Sequence, residues 1–104
     1  MKIKELQQWV DNDWKNNNAS MPDVTLQLLF IMEELGEVAE AIRKNQIKQD
    51  RVEKATRTVD LGSELADLMI SITTLANHFG VDLTKEIYQF QKRIETRRQK
   101  TIPR

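Results

Sequence analysis

The sequence predicts an all-α protein, a four-helix bundle completed by oligomerisation. Three observations carry that reading. Apolar residues recur at helical spacing in four segments, capping and turn residues punctuate the gaps, and two segments each carry carboxylates three residues apart.

The first helix follows from Ile3, Leu6, Val10 and Trp14, which share one face and predict a helix from Ile3 to about Lys15. Asn16, Asn17, Asn18 and Ser20 then break it, because their side chains compete for backbone hydrogen bonds. Ser20, three residues before Asp23 and with Pro22 in the first turn, predicts a capped helix from about Met21 to Lys44. Its end at Arg43-Lys44 places cations at the negative end of the helix dipole. From Gln46 to about Val59 the chain is charged and weakly periodic, which predicts a loop or a frayed helix. The third helix is expected over about Leu61 to Phe79, stopped by Gly80 as a C′ residue. Asp82 is expected to cap a fourth that runs to about Gln99.

The carboxylates form two signatures, Glu34-x-x-Glu37 on the second helix and Glu64-x-x-Asp67 on the third. Residues at i and i+3 share a helical face, so each helix presents a pair. Side by side, the two pairs would bring four oxygen ligands to one point, as a hard divalent cation such as Mg²⁺ requires. Most charged pairs on helices face water, but Glu34 and Glu37 share a sector with Leu26, Phe30, Val38 and Ala41. An unpaired carboxylate in an apolar stripe is expensive, and a bound cation removes that cost. On the third helix Glu64, Asp67, Ser71 and His78 form a polar strip beside Leu61, Leu65, Leu68, Ile72, Leu75 and Phe79; it either faces water or borders the helix seam. Glu33 lies further round the second helix, within reach of the pair, whereas Glu40 reads as a surface charge.

Composition bounds the partners. The 16 basic and 16 acidic residues among 104 cancel, which argues against nucleic acid or an anionic membrane. No cysteine is present, so disulfides, zinc–thiolate sites and thiol catalysis are excluded. A signal-like start and a membrane-length apolar run are both missing from the sequence, and the expectation is one cytoplasmic domain over residues 1–104. His78, the single histidine, fits a helix C-terminus better than a ligand set, and its isolation argues against a di-iron bundle. Gly36, inside the second helix, costs about 1 kcal/mol relative to alanine. It predicts close approach of another backbone or a ligand beside the acidic pair. Trp9 and Trp14 read as core or interface residues, with base stacking as the functional alternative. Lys44, Lys48, Arg51, Lys54 and Arg57 read as solvated, with phosphate binding as the alternative. Ile31, Leu35, Ile42, Met69 and Ile70 fall outside the narrowest apolar stripes, so an obligate oligomer is expected.

Glu33-Glu34-Leu35-Gly36-Glu37-Val38-Ala39-Glu40-Ala41, followed by Glu64-Leu65-Ala66-Asp67-Leu68, Asn77 and Gly80-Val81-Asp82-Leu83, resembles the MazG-like all-α nucleoside triphosphate pyrophosphohydrolases. The resemblance covers about Trp14 to Ile94. It implies that Glu34, Glu37, Glu64 and Asp67 bind Mg²⁺, with Mn²⁺ as a substitute, and that the substrate is a nucleoside triphosphate cleaved to monophosphate and pyrophosphate. Glu33 or Glu37 would serve as general base, and the two stay open. A phosphate contact from the last helix is implied, where Lys92, Arg93, Thr96 and Arg97 share no unique register and Lys92 is the candidate, with Lys44 of the basic stretch as a further one. Trp14 and Asn77 are the implied base or sugar contacts. A homodimer or homotetramer is implied, in which neighbouring subunits complete the pocket. The alternatives are the related phosphoribosyl-ATP pyrophosphatase and a non-catalytic helical interaction module.

Overall fold

A computed structural model describes residues 1–17, 20–47 and 54–101, and its secondary structure there is entirely helical. The order is α1 (Ile3–Asn16), α2 (Val24–Ile47), α3 (Lys54–His78) and α4 (Leu83–Thr101). At about 1.5 Å per residue, α2 and α3 each extend roughly 36 Å.

Two helix starts are set by aspartates. The Asp23 carboxylate accepts from the backbone N–H of Leu26 at 2.9 Å, so the α2 cap is Asp23 rather than Ser20, and α2 starts at Val24 rather than Met21. An aspartate at that place satisfies an orphan donor and puts negative charge at the positive end of the dipole. Asp82 does the same for α4, accepting from Lys85 N–H at 3.2 Å. Between α3 and α4, Gly80 adopts φ +63°. The N–H of Val81 bonds back to the Ala76 carbonyl at 3.0 Å and that of Gly80 to Asn77 at 3.3 Å, the reciprocal pattern that closes a helix end.

The third helix begins at Lys54, well before the expected Leu61. Lys, Ala and Arg in this stretch are good helix formers, and extending an existing helix costs far less than starting one, so an apolar face is not needed there. Of the basic run after α2, Lys48 and Arg51 lie outside the described residues, as do the side chains of Lys54 and Arg57.

α2 and α3 pack antiparallel. Gln27 Nε2 donates to the Ser71 carbonyl at 3.1 Å near one end of the seam, while Glu34 and Glu37 meet Glu64 further along. On α2 the seam is Gln27, Ile31, Glu34, Val38 and Ala41; on α3 it is Leu61, Glu64, Leu68, Ser71, Leu75 and His78, all buried or half-buried. Three of the four residues of the polar strip on α3, Glu64, Ser71 and His78, therefore turn inward, and Leu65, Ile72 and Phe79, expected in the apolar line, are exposed. On α2 the expected stripe splits in the same way: Val38 and Ala41 are buried, whereas Leu26 and Phe30 are exposed.

α1 lies on α3, also antiparallel. Val10 is 1% exposed at this contact and Trp14 Nε1 donates to Thr74 Oγ1 at 3.4 Å. Gln7 ties the pieces together: its Nε2 donates to Asn77 Oδ1 and to the Val81 carbonyl, its Oε1 accepts from Leu83 N–H, and its own carbonyl accepts from Asn77 Nδ2. α4 packs chiefly against α1. The result is open: the Cα radius of gyration is 17.8 Å, against about 13 Å for a compact chain of this length. Among the described residues the apolar core is only Val10, Val38, Ala41 and Ala76.

Candidate functional site

The acidic site is built where the α2–α3 seam passes its midpoint. Glu34 and Glu64 are seam residues, and Glu37, one turn beyond Glu34, leans over the same point from an exposed position. One carboxylate oxygen from each of Glu34, Glu37 and Glu64 lies within 4.8 Å of the other two. Asp67, exposed and one turn along α3 from Glu64, stands outside this trio. It is still close enough for its charge to act on both Glu34 and Glu64.

The cost of this crowding is visible in the titration of the group. A hydrogen bond to the Glu37 carboxyl is the largest influence on Glu64; burial and the charges of Glu37, Asp67 and Glu34 act in the same direction, and together they raise its pKa to about 7. Glu34 is also raised, first by burial and then by the charges of Glu37, Asp67 and Glu33. A seam shared by carboxylates keeps one proton between them, because like charges in a poorly solvated place cannot all ionise. The Oε2 atoms of Glu34 and Glu64 are buried with no hydrogen-bond partner. Two orphaned anionic oxygens beside a third carboxylate fit a hard divalent cation, which takes oxygen ligands. Around Mg²⁺ at about 2.1 Å the ligand oxygens stand roughly 3 to 4.2 Å apart, so the trio needs only slight contraction.

The remaining candidates are spread out. Glu33 is exposed and neighbours Glu34, whose pKa it helps to raise. Glu40 pairs instead with Arg43, its carboxylate held below the usual range by that hydrogen bond. Lys44 is exposed about 10 Å beyond Glu37 along α2. Trp14, half-buried at Thr74, sits about 15 Å along α3 from Glu64, and Asn77 about 20 Å from it. The Asn77 amide is engaged by Gln7, so both its donor and its acceptor serve the α1–α3 contact. Lys92 lies 5.5 Å from the centre of the Tyr88 ring on α4. Within one chain, then, Trp14, Asn77 and Lys92 are not gathered at the carboxylates.

Gly36 has nothing within 4 Å of where a Cβ would stand, so the expected close approach is not made by any described part of this chain. At about 100° per residue it points well away from Glu34, not beside the acidic pair. His78 is half-buried with Nε2 lacking a partner. A separate open cleft of about 350 Å³ lies between α1 and the α3–α4 turn, lined by Lys4, Gln7, Gln8, Asp11, Asn77, Gly80, Val81 and Asp82. Sequence reasoning did not single out Gln7: one amide bonding across the fold leaves no periodic signal.

No helix among the described residues is long and apolar enough to cross a membrane. Comparison with known proteins gives one relative of similar length, the uncharacterized protein YvdC of Bacillus subtilis (strain 168), 26% identical over 102 residues, covering 93% of this chain and 96% of that protein. No solved structure matches. A family model, the MazG nucleotide pyrophosphohydrolase domain, matches residues 23–102, which takes in α2, α3, α4 and all the acidic residues of the site but leaves α1 and Trp14 outside. With both acidic signatures inside a match over most of its length, the chain belongs to the MazG nucleotide pyrophosphohydrolase family.

Proposed function

We propose that this protein hydrolyses nucleoside or deoxynucleoside triphosphates to the monophosphate and pyrophosphate, with Mg²⁺ or Mn²⁺, as cytoplasmic housecleaning of the nucleotide pool. The observation that carries the reading is the carboxylate trio in the α2–α3 seam with its two buried, unpartnered oxygens. Glu34, Glu37 and Glu64 would hold the ion, with Asp67 joining from the exposed side of α3. When bound, the ion neutralises phosphate oxygens and lowers the pKa of a water molecule.

The chain's own groups then divide the remaining work. The Glu37 carboxyl is engaged by a hydrogen bond with Glu64, which leaves Glu33, exposed at the rim, as the free candidate to take the proton of the attacking water. Lys44, exposed about 10 Å along α2 from Glu37, would meet the outer phosphates. Trp14, Asn77 and Lys92 lie away from the trio, and a base, sugar or phosphate contact by them requires a neighbouring copy to bring them in. The working unit is accordingly a homodimer or homotetramer.

A pyrophosphate-release screen over ordinary and modified triphosphates, run with and without Mg²⁺ and repeated with Glu34→Gln, tests this reading. Release that needs both the metal and Glu34 is the expected result. Absence of release from every triphosphate with either metal would leave the non-catalytic interaction module standing.

A further inference from the structure

Gln27 is a buried polar side chain on α2, 3% exposed, and no step of the proposed reaction uses it. Its Nε2 donates across the seam to the Ser71 carbonyl at 3.1 Å. Only the nitrogen of the amide can donate to a carbonyl, so the acceptor also fixes which way the amide points.

Polar and apolar residues take turns along the seam. On α2 the order is Gln27, Ile31, Glu34 and Val38, and on α3 it is Leu61, Glu64, Leu68, Ser71 and Leu75, each buried or half-buried. Gln27 stands seven residues before Glu34, and Ser71 stands seven after Glu64. Seven residues are two turns, about 10.5 Å on either helix, so in an antiparallel pair the contact of Gln27 with Ser71 and that of Glu34 with Glu64 require the same register. A slip of one turn would set Gln27 against Leu68 or Leu75, and Glu34 against Leu61 or Leu68. The carboxylates cannot hold that register by themselves, because without a cation their charges repel across the seam. Gln27 supplies the attraction.

We propose that Gln27 is a positioning residue for the carboxylate site: its bond to the Ser71 carbonyl holds α2 in the register that brings Glu34 to Glu64, and metal affinity depends on it. The proposal rests on the metal-binding reading of the trio, and it does not depend on which triphosphate is cleaved.

The energetics separate this role from ordinary packing. Inside α3 the Ser71 carbonyl also faces the N–H of Leu75, four residues on, so removing the Gln27 amide leaves no orphaned acceptor there. An unbranched apolar side chain of similar length therefore costs the fold little. Buried polar groups that specify register do so at some expense of stability, whereas groups that orient metal ligands change affinity by about 10- to 100-fold when they are lost. Stability and metal affinity should thus move apart.

Gln27→Met is the test, with Leu75→Val as a control that trims the same seam one turn beyond Ser71 and keeps the amide. For the wild type and both variants, electron paramagnetic resonance of added Mn²⁺ gives the affinity, and calorimetry of the metal-free protein gives the melting temperature. Gln27→Met is expected to bind Mn²⁺ at least about ten-fold more weakly, with a metal-free melting temperature equal to or above that of the wild type. Leu75→Val is expected to melt lower and to keep the wild-type affinity. Weakening in Gln27→Met that comes with a lower melting temperature, or that Leu75→Val matches, would mark a general loosening of the seam and overturn the proposal. Unchanged affinity in Gln27→Met would overturn it with the metal site intact. Absence of Mn²⁺ binding by the wild type would overturn the metal reading and the proposal with it.

Discussion

Glu64 concentrates the chemistry at the scale of single residues. Its pKa of about 7, against 4.5 for an ordinary glutamate, means that in the metal-free protein the folded state holds a proton that the unfolded chain releases. Stability therefore falls as pH rises from about 4.5 through 7, and the slope comes from this group. Comparing melting temperatures of the metal-free wild type and Glu64→Gln between pH 5 and 8 checks the sign: the wild type should lose more stability over the window. A wild-type curve parallel to that of Glu64→Gln would mean that the carboxyl is not crowded.

Turnover is the complementary measure. Glu37→Gln and Asp67→Asn are each expected to slow it by at least about 100-fold with helical content unchanged, since removing an anionic ligand costs the reaction several kcal/mol. Glu40→Gln, which loses only an ion pair to Arg43 at the surface, should stay near wild type. Equal losses in all three would show that the wrong face of α2 has been assigned. The spacing of the acidic residues was legible in the sequence because i and i+3 share a face. Which oxygens meet was not, since Asp67 shares the Glu64 signature yet stands outside the trio. The engagement of Asn77 by Gln7, seventy positions away, was equally hidden, because a single long-range amide pair leaves no period to read.

Among the elements, the ends are governed by few residues and should respond accordingly. Asp23→Ala removes the acceptor for the Leu26 N–H and should cost about 1 kcal/mol in chemical denaturation. Gly80→Ala forces a side chain into φ +63° and should cost about 1 to 2 kcal/mol, although nothing lies within 4 Å of the added Cβ. A loss near zero at Gly80 would show that the α3–α4 turn relaxes. The caps at Gly80 and Asp82 were readable because only a few residue types suit those positions. The start of α3 was not: helix extension over residues 54–60 rests on propensity and leaves no apolar period. The facing of α3 was half readable, since its apolar and polar lines each contribute to the seam.

Taken as a whole, the molecule is an open, helical chain whose most constrained point is a cluster of repelling carboxylates. A cation that binds only the folded state stabilises it by roughly 2.7 kcal/mol at a hundredfold excess over Kd. Saturating Mg²⁺ or Mn²⁺ should therefore raise the melting temperature by several degrees in calorimetry at matched ionic strength, and the increment should shrink in Glu34→Gln. No shift in either protein would mean that the trio is not a preformed metal site. Four helices were legible from periodicity, whereas the membership of the core was not, because the apolar stripes point to several faces and only folding shows which are covered.

The most direct measurement of the central claim is phosphorus NMR of the products when a triphosphate is incubated with the protein and Mg²⁺. The carboxylate site of this MazG-family chain is expected to yield monophosphate and pyrophosphate in equal amounts, with both signals lost in Glu34→Gln. Diphosphate with orthophosphate would contradict the account, as would products that form equally fast without the glutamate.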